Sequence, residues 1–403
     1  MNNHLLIAGG GMVGPVMALT MAKNFAKITI LEKRSRELNA KNGQSSLQII
    51  LSERGWRTLE DIGLKKEVIK LCIPLAGRIQ HHKEQLPIKE LYGENEETIS
   101  CVSRDKLHRV LLSKIKEAPN INLIYNCEAT DVDLENRKLT CITASKKTEL
   151  DYDLLIGADG ANSAIAQKLN NQSDRICAIE DYAYKETSIW NDKLSPNCFH
   201  YYNCSNYMAG AFPSDMNGNF SLFYIYSNKN EKNIFDPENI FKKNNHNPLI
   251  PQNSLKETIN KLMSVQSGIL GNVTNEVWHY KKTVLLIGDA AHTILPFMGQ
   301  GLNLGLEDVY LFSRFWGNNP KSFEPFCELR KKDTNSMGQI STDQFKYLLG
   351  QTNPNTAAIM KEKNDYYKKT GQRNLYSACA FTLKSIYEIY MNDKKTEAQL
   401  KNK

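Results

Sequence analysis

The stretch Gly288-Asp-Ala-Ala-His-Thr-Ile-Leu-Pro-Phe-Met-Gly-Gln-Gly-Leu-Asn-Leu-Gly-Leu-Glu-Asp308 is the most informative part of this chain of 403 residues. It follows an apolar run, Thr283–Ile287, that is typical of a buried strand. Three glycines, Gly299, Gly301 and Gly305, then lead through a turn into a predicted helix. A carboxylate at a strand end can accept from sugar hydroxyls, and a helix N-terminus offers unpaired N–H groups to an anion. The stretch therefore predicts one wall of an anion-binding site.

A second glycine-rich turn lies near the start of the chain, between an apolar strand and a helical run. In its pattern Gly9-x-Gly11-x-x-Gly14 the first glycine allows a tight turn, Gly11 lets the backbone approach a pyrophosphate, and Gly14 allows close helix packing. Glu32 ends the next strand, where a carboxylate accepts from ribose hydroxyls and repels a 2′-phosphate. The pattern predicts a dinucleotide site that disfavours NADP, the alternative being a plain glycine turn in an α/β domain.

A third turn, Gly157-Ala-Asp-Gly160, follows the predicted strand Tyr152–Ile156 and precedes a stretch, 161–168, that looks helical. Asp159 is expected either to lie in the cofactor region or to hold the loop by capping N–H groups. A simple strand-end turn is the alternative for this motif taken alone.

Two further side chains near these motifs could be functional or purely structural. Arg104 begins a predicted helix with Ser103 as its N-cap, so it is either a phosphate contact or an ordinary surface arginine. His292 is expected to be a packed, hydrogen-bonded side chain, because no nearby nucleophile needs a base.

The composition is that of an ordinary globular protein, with 41% hydrophobic and 24% charged residues. The net charge of +7 is expected to be a solvated surface or a weak attraction to an anionic cofactor, and no basic patch interleaved with aromatics predicts nucleic-acid binding. Nine scattered cysteines without a C-x-x-C pair argue against a disulfide framework and a zinc site, so no metal and a reducing, cytoplasmic location are expected. No apolar run is long enough to predict a membrane anchor.

The order of apolar runs predicts an α/β fold: a Rossmann-like dinucleotide-binding domain, an inserted, mainly antiparallel β domain and a C-terminal helical segment. The change to Tyr-, Phe- and Asn-rich alternating sequence after Cys177 indicates the second sheet. The predicted dinucleotide-binding domain takes 1–70, 98–175 and 275–335, the inserted domain takes 71–97 and 176–274, and the helical region takes 336–403.

The three glycine motifs together resemble those of the flavoprotein aromatic hydroxylases of the p-hydroxybenzoate hydroxylase type, over residues 5 to about 335. A closer similarity is to kynurenine 3-monooxygenases. It is carried by stretches outside the glycine motifs, namely Leu51–Leu64, Gly77-Arg78, Leu91-Tyr-Gly93, Val102–Leu107 and Pro296–Gly301.

The resemblance implies that the Rossmann-like domain is an FAD-binding domain and that the inserted, mainly antiparallel β domain is a substrate domain. It also implies contacts for FAD and for an amino-acid substrate. The cofactor residues that it implies, together with those of the glycine motifs, are Gly9, Gly11, Val13, Gly14, Glu32, Arg34, Arg104, Ala129, Asp159, Asp289, Leu302 and Asn303. The implied substrate residues are Arg78, Tyr92, Phe297, Met298, Gln344 and Tyr376. An arginine fork with a phenol is also a sound carboxylate clamp on physical grounds.

The chain departs from the family pattern at three places. An Arg-Ser-Ile-Asn stretch of the family is replaced by Ser45-Ser-Leu-Gln48, a Trp-Pro-Arg strand by Tyr202-Asn-Cys204, and a substrate-binding asparagine by Gln344. These departures leave a differently substituted kynurenine or an anthranilate-like compound open as the substrate.

The resemblance implies an FAD-dependent monooxygenase that uses O2 and NADPH, or NADH, to hydroxylate an aromatic substrate, most simply L-kynurenine. No catalytic acid or base is assigned, because an aniline nitrogen already activates the ring and the flavin does the chemistry. A different aniline or aromatic acid as substrate, or a non-catalytic FAD-binding protein, is the alternative. Homodimer formation is left open.

Overall fold

The computed structural model describes residues 4–35, 48–83, 85–94, 96–171, 173–204, 207–235, 247–352 and 354–401, without the side chains at 177–180, 232 and 233. Ser45, one of the departures from the family pattern, lies outside these residues.

The strands of the described residues are β1 His4–Ala8, β2 Lys27–Glu32, β3 Gln48–Leu51, β4 Ile73–Leu75, β5 Gly77–His81, β6 Ile88–Leu91, β7 Ile99–Ser103, β8 Ile121–Tyr125, β9 Cys127–Asp133, β10 Lys138–Thr143, β11 Lys146–Asp151, β12 Leu154–Gly157, β13 Arg175–Trp190, β14 Cys198–Cys204, β15 Tyr207–Pro213, β16 Asn219–Ser227, β17 Gly268–Asn275, β18 His279–Tyr280, β19 Val284–Leu286 and β20 His292–Thr293. The α-helices are α1 Val13–Met21, α2 Glu53–Asp61, α3 Lys65–Val68, α4 Arg104–Lys116, α5 Ala164–Leu169, α6 Glu231–Ile234, α7 Leu255–Ser264, α8 Gly301–Gly317, α9 Glu324–Leu348, α10 Pro354–Thr370, α11 Leu375–Phe381 and α12 Ile386–Lys401. Short 3-10 turns lie at Ile69–Leu71, Asn228–Asn230, Gln252–Ser254, Gly288–Ala290 and Pro296–Met298.

The first sheet is parallel in the order β19-β12-β1-β2-β8, with β18 added antiparallel at one edge. Its central strands are buried along their length because apolar runs such as Leu5-Leu-Ile-Ala8 are covered on both faces. The three glycine motifs and Glu32 stand at the carboxyl ends of β1, β2, β12 and β19, so they share one edge of the sheet. That edge is where open α/β sheets bind ligands.

The second large sheet has eight strands in the order β20-β17-β13-β16-β15-β14-β5-β6 and is antiparallel except where β14 pairs with β5. Two three-stranded antiparallel sheets, β11-β10-β9 and β3-β7-β4, accompany the two large ones. From α8 onward the described residues are mainly helical. The predicted fold class is confirmed, whereas the predicted domain boundaries stay a prediction.

Local predictions differ from the structure where tertiary contacts set the boundaries. Residues 79–91 show no clear period in the sequence, yet they form β5 and β6, because β6 is an exposed edge strand without an alternating burial pattern. The helix expected from residue 161 begins at Ala164, because Ser163 caps it by accepting from Ala166 N at 2.9 Å. The helix expected from Ser103 begins as predicted, with Ser103 Oγ accepting from Lys106 N.

Candidate functional site: a cofactor cradle and an aromatic pocket

The glycines of the N-terminal motif have separate structural reasons. A Cβ on Gly9, which has a φ of +109°, would lie 2.2 Å from the carbonyl oxygen of Ala158, so β1 and the third motif meet here. A Cβ on Gly14 would lie 2.0 Å from Gly9 O, which shows how closely α1 packs on β1. A Cβ on Gly11 would meet nothing within 4 Å, so the chain leaves open space where a phosphate would approach.

Glu32 is buried at the end of β2, where its carboxylate is already hydrogen-bonded. Gly10 N donates to Oε2 at 3.0 Å, and the backbone N and Nε of Arg34 donate to Oε1 at 2.9 and 2.8 Å. Burial opposes ionisation, but the bonds from Arg34 and Gly10 outweigh it and lower the pKa of Glu32. A carboxylate has about four acceptor sites, so a ribose would share this group with Arg34.

The glycine-rich stretch 288–308 folds against α1. Gly288 has a φ of +57°, and a Cβ on Gly305 would lie 2.8 Å from Val13 Cγ2, so Val13 fits between these two glycines. Asp308 Oδ2 accepts from Gly288 N at 2.9 Å and pairs with His292 Nε2 at 2.7 Å. His292 is therefore buried scaffold, as the sequence predicts, and it holds the Gly288 turn.

Asp289 differs from Asp308 because its side chain is exposed and its carboxylate accepts no hydrogen bond from the residues that the structure describes. The surrounding protein atoms limit hydration of the carboxylate and raise the pKa of Asp289, while the nearby charges of His292 and Arg104 act in the opposite direction. An accessible but densely surrounded carboxylate, with Arg104 within electrostatic range, is typical of a cleft wall.

The N-terminus of α8 forms the adjoining wall. No side chain caps it at Gln300, so its first N–H groups are free of a capping side chain. Asn303 is fully buried, and its amide is committed to Ser52 N, Ile50 O and Gly299 O at 2.8–2.9 Å. A flavin contact of Asn303 would therefore use its backbone, and the half-buried Leu302 lies beside it.

Two other predicted cofactor residues have structural roles. Asp159 is held by Ala164 N at 2.9 Å and so caps α5, the second of its two predicted roles, while its Oδ1 is buried without a partner among the described residues. Ala129 lies on β9 opposite Cys141 of β10, in a three-stranded sheet. The contribution of these two residues to cofactor binding stays a prediction.

The cofactor cradle, formed by the Gly9–Gly14 turn, Asp289 and the N-terminus of α8, fits FAD on three observations. They are open space at Gly11, an Asp289 carboxylate without a hydrogen-bond partner among the described residues, and two helices, α1 and α8, without side-chain N-caps. A diphosphate would accept from the N–H groups at these helix N-termini, and a ribityl chain would donate to the Asp289 carboxylate. Both elements lie at the same sheet edge.

Three of the predicted substrate residues meet on the eight-stranded sheet's side of the molecule. The rings of Tyr92, after β6, and Tyr376, on α11, stack with centroids 5.0 Å apart. Burial raises the pKa of both phenols, and the nearby charge of Arg78 acts in the opposite direction on each. The guanidinium of Arg78 thus lies close to two neutral phenols, which can donate to a carboxylate.

The remaining predicted substrate residues lie around this group. Phe297 packs on Phe345 of α9 at 4.8 Å, and buried Met298 belongs to an apolar cluster that Tyr376 borders. Gln344 is half-buried on α9, and its amide has no hydrogen bond within the part of the chain that the structure describes.

Several aromatic and charged members of this pocket were not predicted from the sequence. Phe199 is the register partner of Arg78 and stacks on Phe212 at 4.2 Å, and Tyr201 lies 5.9 Å below the Arg78 guanidinium. Glu90 pairs with Arg78 across strands β5 and β6. These residues come together only through strand pairing, so no local sequence pattern could have identified them.

The described residues contain neither a membrane-spanning helix nor a cluster of side chains for a metal ion. No helix there is both long and apolar enough to cross a bilayer. In the same ranges no group of three or more His, Cys, Asp and Glu side chains is placed to hold a metal ion.

Similarity to known proteins supports the same cofactor. Kynurenine 3-monooxygenase from Christiangramia forsetii is 27% identical over 362 residues, covering 84% of this chain and 79% of that protein. The enzyme of the same name from Legionella pneumophila is 28% identical over 359 residues, covering 85% and 79%. The solved 2-methyl-3-hydroxypyridine-5-carboxylic acid oxygenase, in its tetrameric form, has a TM-score of 0.68 at 18% identity and covers 85% of this chain and 90% of its own, which shows a shared fold.

The family resemblance stated from the sequence is confirmed, as is the assignment to FAD-dependent aromatic monooxygenases that use NAD(P)H. The model of the family described as FAD binding domain matches residues 3–315. The chain therefore belongs to the FAD binding domain family.

Proposed function

We propose that this chain hydroxylates L-kynurenine to 3-hydroxykynurenine, using FAD, O2 and NADPH or NADH. The observation that supports the proposal most is the convergence of Arg78, Tyr92 and Tyr376 in one aromatic pocket. The relatives named kynurenine 3-monooxygenase support the choice of substrate.

In this proposal the pocket binds the two ends of the substrate differently. The carboxylate lies at the Nη groups of Arg78, and the phenols of Tyr92 and Tyr376 donate to it. The aniline ring lies among Phe199, Phe212 and neighbouring apolar residues, which exclude water from the reacting carbon.

When bound in the cradle, FAD would supply the redox chemistry, which is to accept electrons from the nicotinamide and to activate O2 for transfer of one oxygen atom to the ring. The chain's own contribution is to orient and dry the substrate. No side chain is assigned as a base, because the aniline nitrogen supplies electron density to the ring. The cytoplasmic location and a homodimer remain predictions.

The test of this proposal is NADPH or NADH oxidation by the FAD-loaded protein with and without L-kynurenine. We expect L-kynurenine to accelerate oxidation and to be converted to 3-hydroxykynurenine, and anthranilate to be a weaker stimulator. A protein that oxidises the nicotinamide at the same rate with and without L-kynurenine contradicts the proposal.

The substitution Arg78→Met tests the clamp. It removes about 2–4 kcal/mol of charged hydrogen bonding, so the KM for L-kynurenine should rise by a factor of roughly 30 or more. Arg109→Met is the matched control, because Arg109 is exposed on α4 and bonds only to the carbonyl of Asp105 among the described residues. An unchanged KM in Arg78→Met would remove Arg78 from the substrate site.

A further inference from the structure

A carboxylate of the protein lies beside the guanidinium that the proposed function assigns to the substrate. Arg78 on β5 and Glu90 on β6 are direct cross-strand partners, and Arg78 Nε donates to Glu90 Oε2 at 2.7 Å. The side chains are 28% and 51% exposed, so both remain accessible to a ligand.

The ion pair faces the aromatic pocket. Burial raises the pKa of Tyr201 to about 12, and the charges of Arg78 and Glu90 act on this phenol in opposite directions. Tyr201 lies under Arg78, and the positive charge of Arg78 acts to lower the pKa of both Tyr92 and Tyr376. The carboxylate of Glu90 therefore belongs to the same group of side chains as the proposed clamp.

Part of each charged group is still free to bind. Oε2 of Glu90 accepts a hydrogen bond from Nε of Arg78. The two Nη groups of Arg78 and Oε1 of Glu90 have no hydrogen-bond partner among the described residues. The fork edge of a guanidinium binds a carboxylate, and a carboxylate oxygen accepts from an ammonium group. The free atoms thus present a donor face and an acceptor site side by side.

The sum of the two charges decides which ligand fits. A lone arginine attracts any aromatic carboxylic acid, whereas a neutral Arg–Glu pair matches a ligand that carries one positive and one negative group on the same carbon atom. A simple carboxylate would gain the guanidinium but also meet the repulsion of Glu90. An α-amino acid satisfies both groups.

We propose that Glu90 is a specificity-determining residue that binds the α-ammonium group of the substrate while Arg78 binds its carboxylate. The inference rests on the proposed function and sharpens it, because it makes the free α-amino acid the recognised form and disfavours anthranilate-like acids.

The experiment compares two ligands and two variants by isothermal titration calorimetry on the FAD-loaded protein. The ligands are L-kynurenine and the analogue in which hydrogen replaces the α-ammonium group. The variants are Glu90→Gln and, as a matched control, Glu149→Gln, which removes the same charge from an exposed cross-strand pair with Lys138 in another sheet.

We expect the unchanged protein to bind L-kynurenine roughly tenfold or more tightly than the analogue, as for a charged hydrogen bond. Glu90→Gln should lose most of this preference by weakening L-kynurenine, and bind the analogue at least as tightly as before. Glu149→Gln should keep the preference.

Two results would overturn the inference while leaving the proposed function standing. One is equal affinity of the unchanged protein for the two ligands, and the other is a Glu90→Gln variant that weakens both ligands by the same factor. The first result needs no variant, so a folding defect cannot obscure it. If neither ligand binds, the proposed function falls and this inference falls with it.

Discussion

At the scale of single residues, the glycines of the N-terminal motif separate folding from cofactor binding. A Cβ at Gly11 meets nothing in the protein, so Gly11→Ala should fold normally yet bind FAD roughly tenfold or more weakly, because the methyl group occupies the space of the phosphate. Gly317→Ala, where a Cβ also meets nothing, is the control. Titration of the apoprotein with FAD, followed by flavin fluorescence, measures both, and equal affinities would remove Gly11 from the cradle.

The same scale shows what the sequence could and could not predict. Gly9, Gly11 and Gly14 could be identified because they lie close together in the sequence with the spacing of a known motif, and each has a local role in the turn or in helix packing. Glu90 and Tyr201 were not, because their proximity to Arg78 depends on the register of β5 with β6 and with β14. Asn303 was recognised, but its amide bonds to distant backbone groups could not be inferred.

At the scale of elements, one ion pair joins the two segments that carry the stacked phenols. Arg373, just before α11, donates both Nη groups to the carboxylate of Glu97, just before β7, at 2.6 Å each. Tyr92 precedes Glu97 in the same loop, and Tyr376 lies on α11. The pair is partly exposed, so it adds little to stability, but its bidentate geometry fixes the relative position of the phenols.

Arg373→Gln should therefore raise the KM for L-kynurenine about three- to tenfold with little change in kcat, while the free energy of unfolding changes by less than about 1 kcal/mol. Arg314→Gln breaks a similar exposed pair with Asp61 and serves as control. Steady-state kinetics and urea unfolding provide the two readouts. A KM equal to that of the Arg314 variant would show that the pair does not position the phenols.

The strand pair β5–β14 carries a group that links stability to pH. His200 is buried and lies between Ser195 O and His81 Nε2, each 2.9 Å away. Burial is the main cause that lowers its pKa to about 4, against about 6.5 in an unfolded chain. Between these values the unfolded chain binds the proton and the folded chain does not, so acid favours unfolding.

The free energy of unfolding should thus fall as the pH is lowered from about 6.5 to about 4, with up to about 3 kcal/mol from His200. His200→Gln removes this contribution, so its stability should be lower at neutral pH but less dependent on pH. Urea midpoints across this range measure the effect. Parallel pH profiles for the two proteins would show that His200 is not the titrating group.

Elements were predictable where the apolar period is long. The strands of the parallel sheet and the helix after Ser103 follow from buried runs and a capping residue. Strands β5 and β6 could not be predicted, because an exposed edge strand has no burial pattern of its own.

At the scale of the whole molecule, a buried ionic network joins the cofactor motif to the C-terminal helices. Arg330 of α9 pairs with Glu307 and Asp308 of α8 at 2.9 and 2.7 Å, and Arg54 of α2 pairs with Glu307 at 2.7 Å. Asp308 also holds the Gly288 turn.

The network also reaches the start of the last helix, α12. Asp333 of α9 pairs with Arg330 and accepts from Ser385 Oγ at 2.6 Å and from Tyr387 N at 2.9 Å. The cradle is thus connected to α9 and to the start of α12 through one network of hydrogen bonds and ion pairs.

Arg330→Met should cost about 3–5 kcal/mol of stability, because it leaves the carboxylates of Glu307 and Asp308 buried with fewer compensating charges. Adding Asp308→Asn should recover part of this loss, since one of the uncompensated charges is then gone. Urea unfolding of the single and double variants measures both effects. A loss below about 1 kcal/mol would show that the network contributes little to stability.

The overall architecture could be predicted because each of the three glycine motifs follows a predicted strand. In the structure these strands end at one edge of the same sheet. The network could not, because Arg54, Glu307 and Arg330 have no common pattern in the sequence and meet only when three helices pack together.

In the proposed function, this chain transfers one atom of O2 to the ring of L-kynurenine. The most direct measurement is mass spectrometry of the product formed from L-kynurenine under ¹⁸O2 by the FAD-loaded protein with NADPH or NADH. We predict 3-hydroxykynurenine that carries one labelled oxygen atom. Nicotinamide oxidation that yields only hydrogen peroxide, with no label in any aromatic product, would contradict the claim.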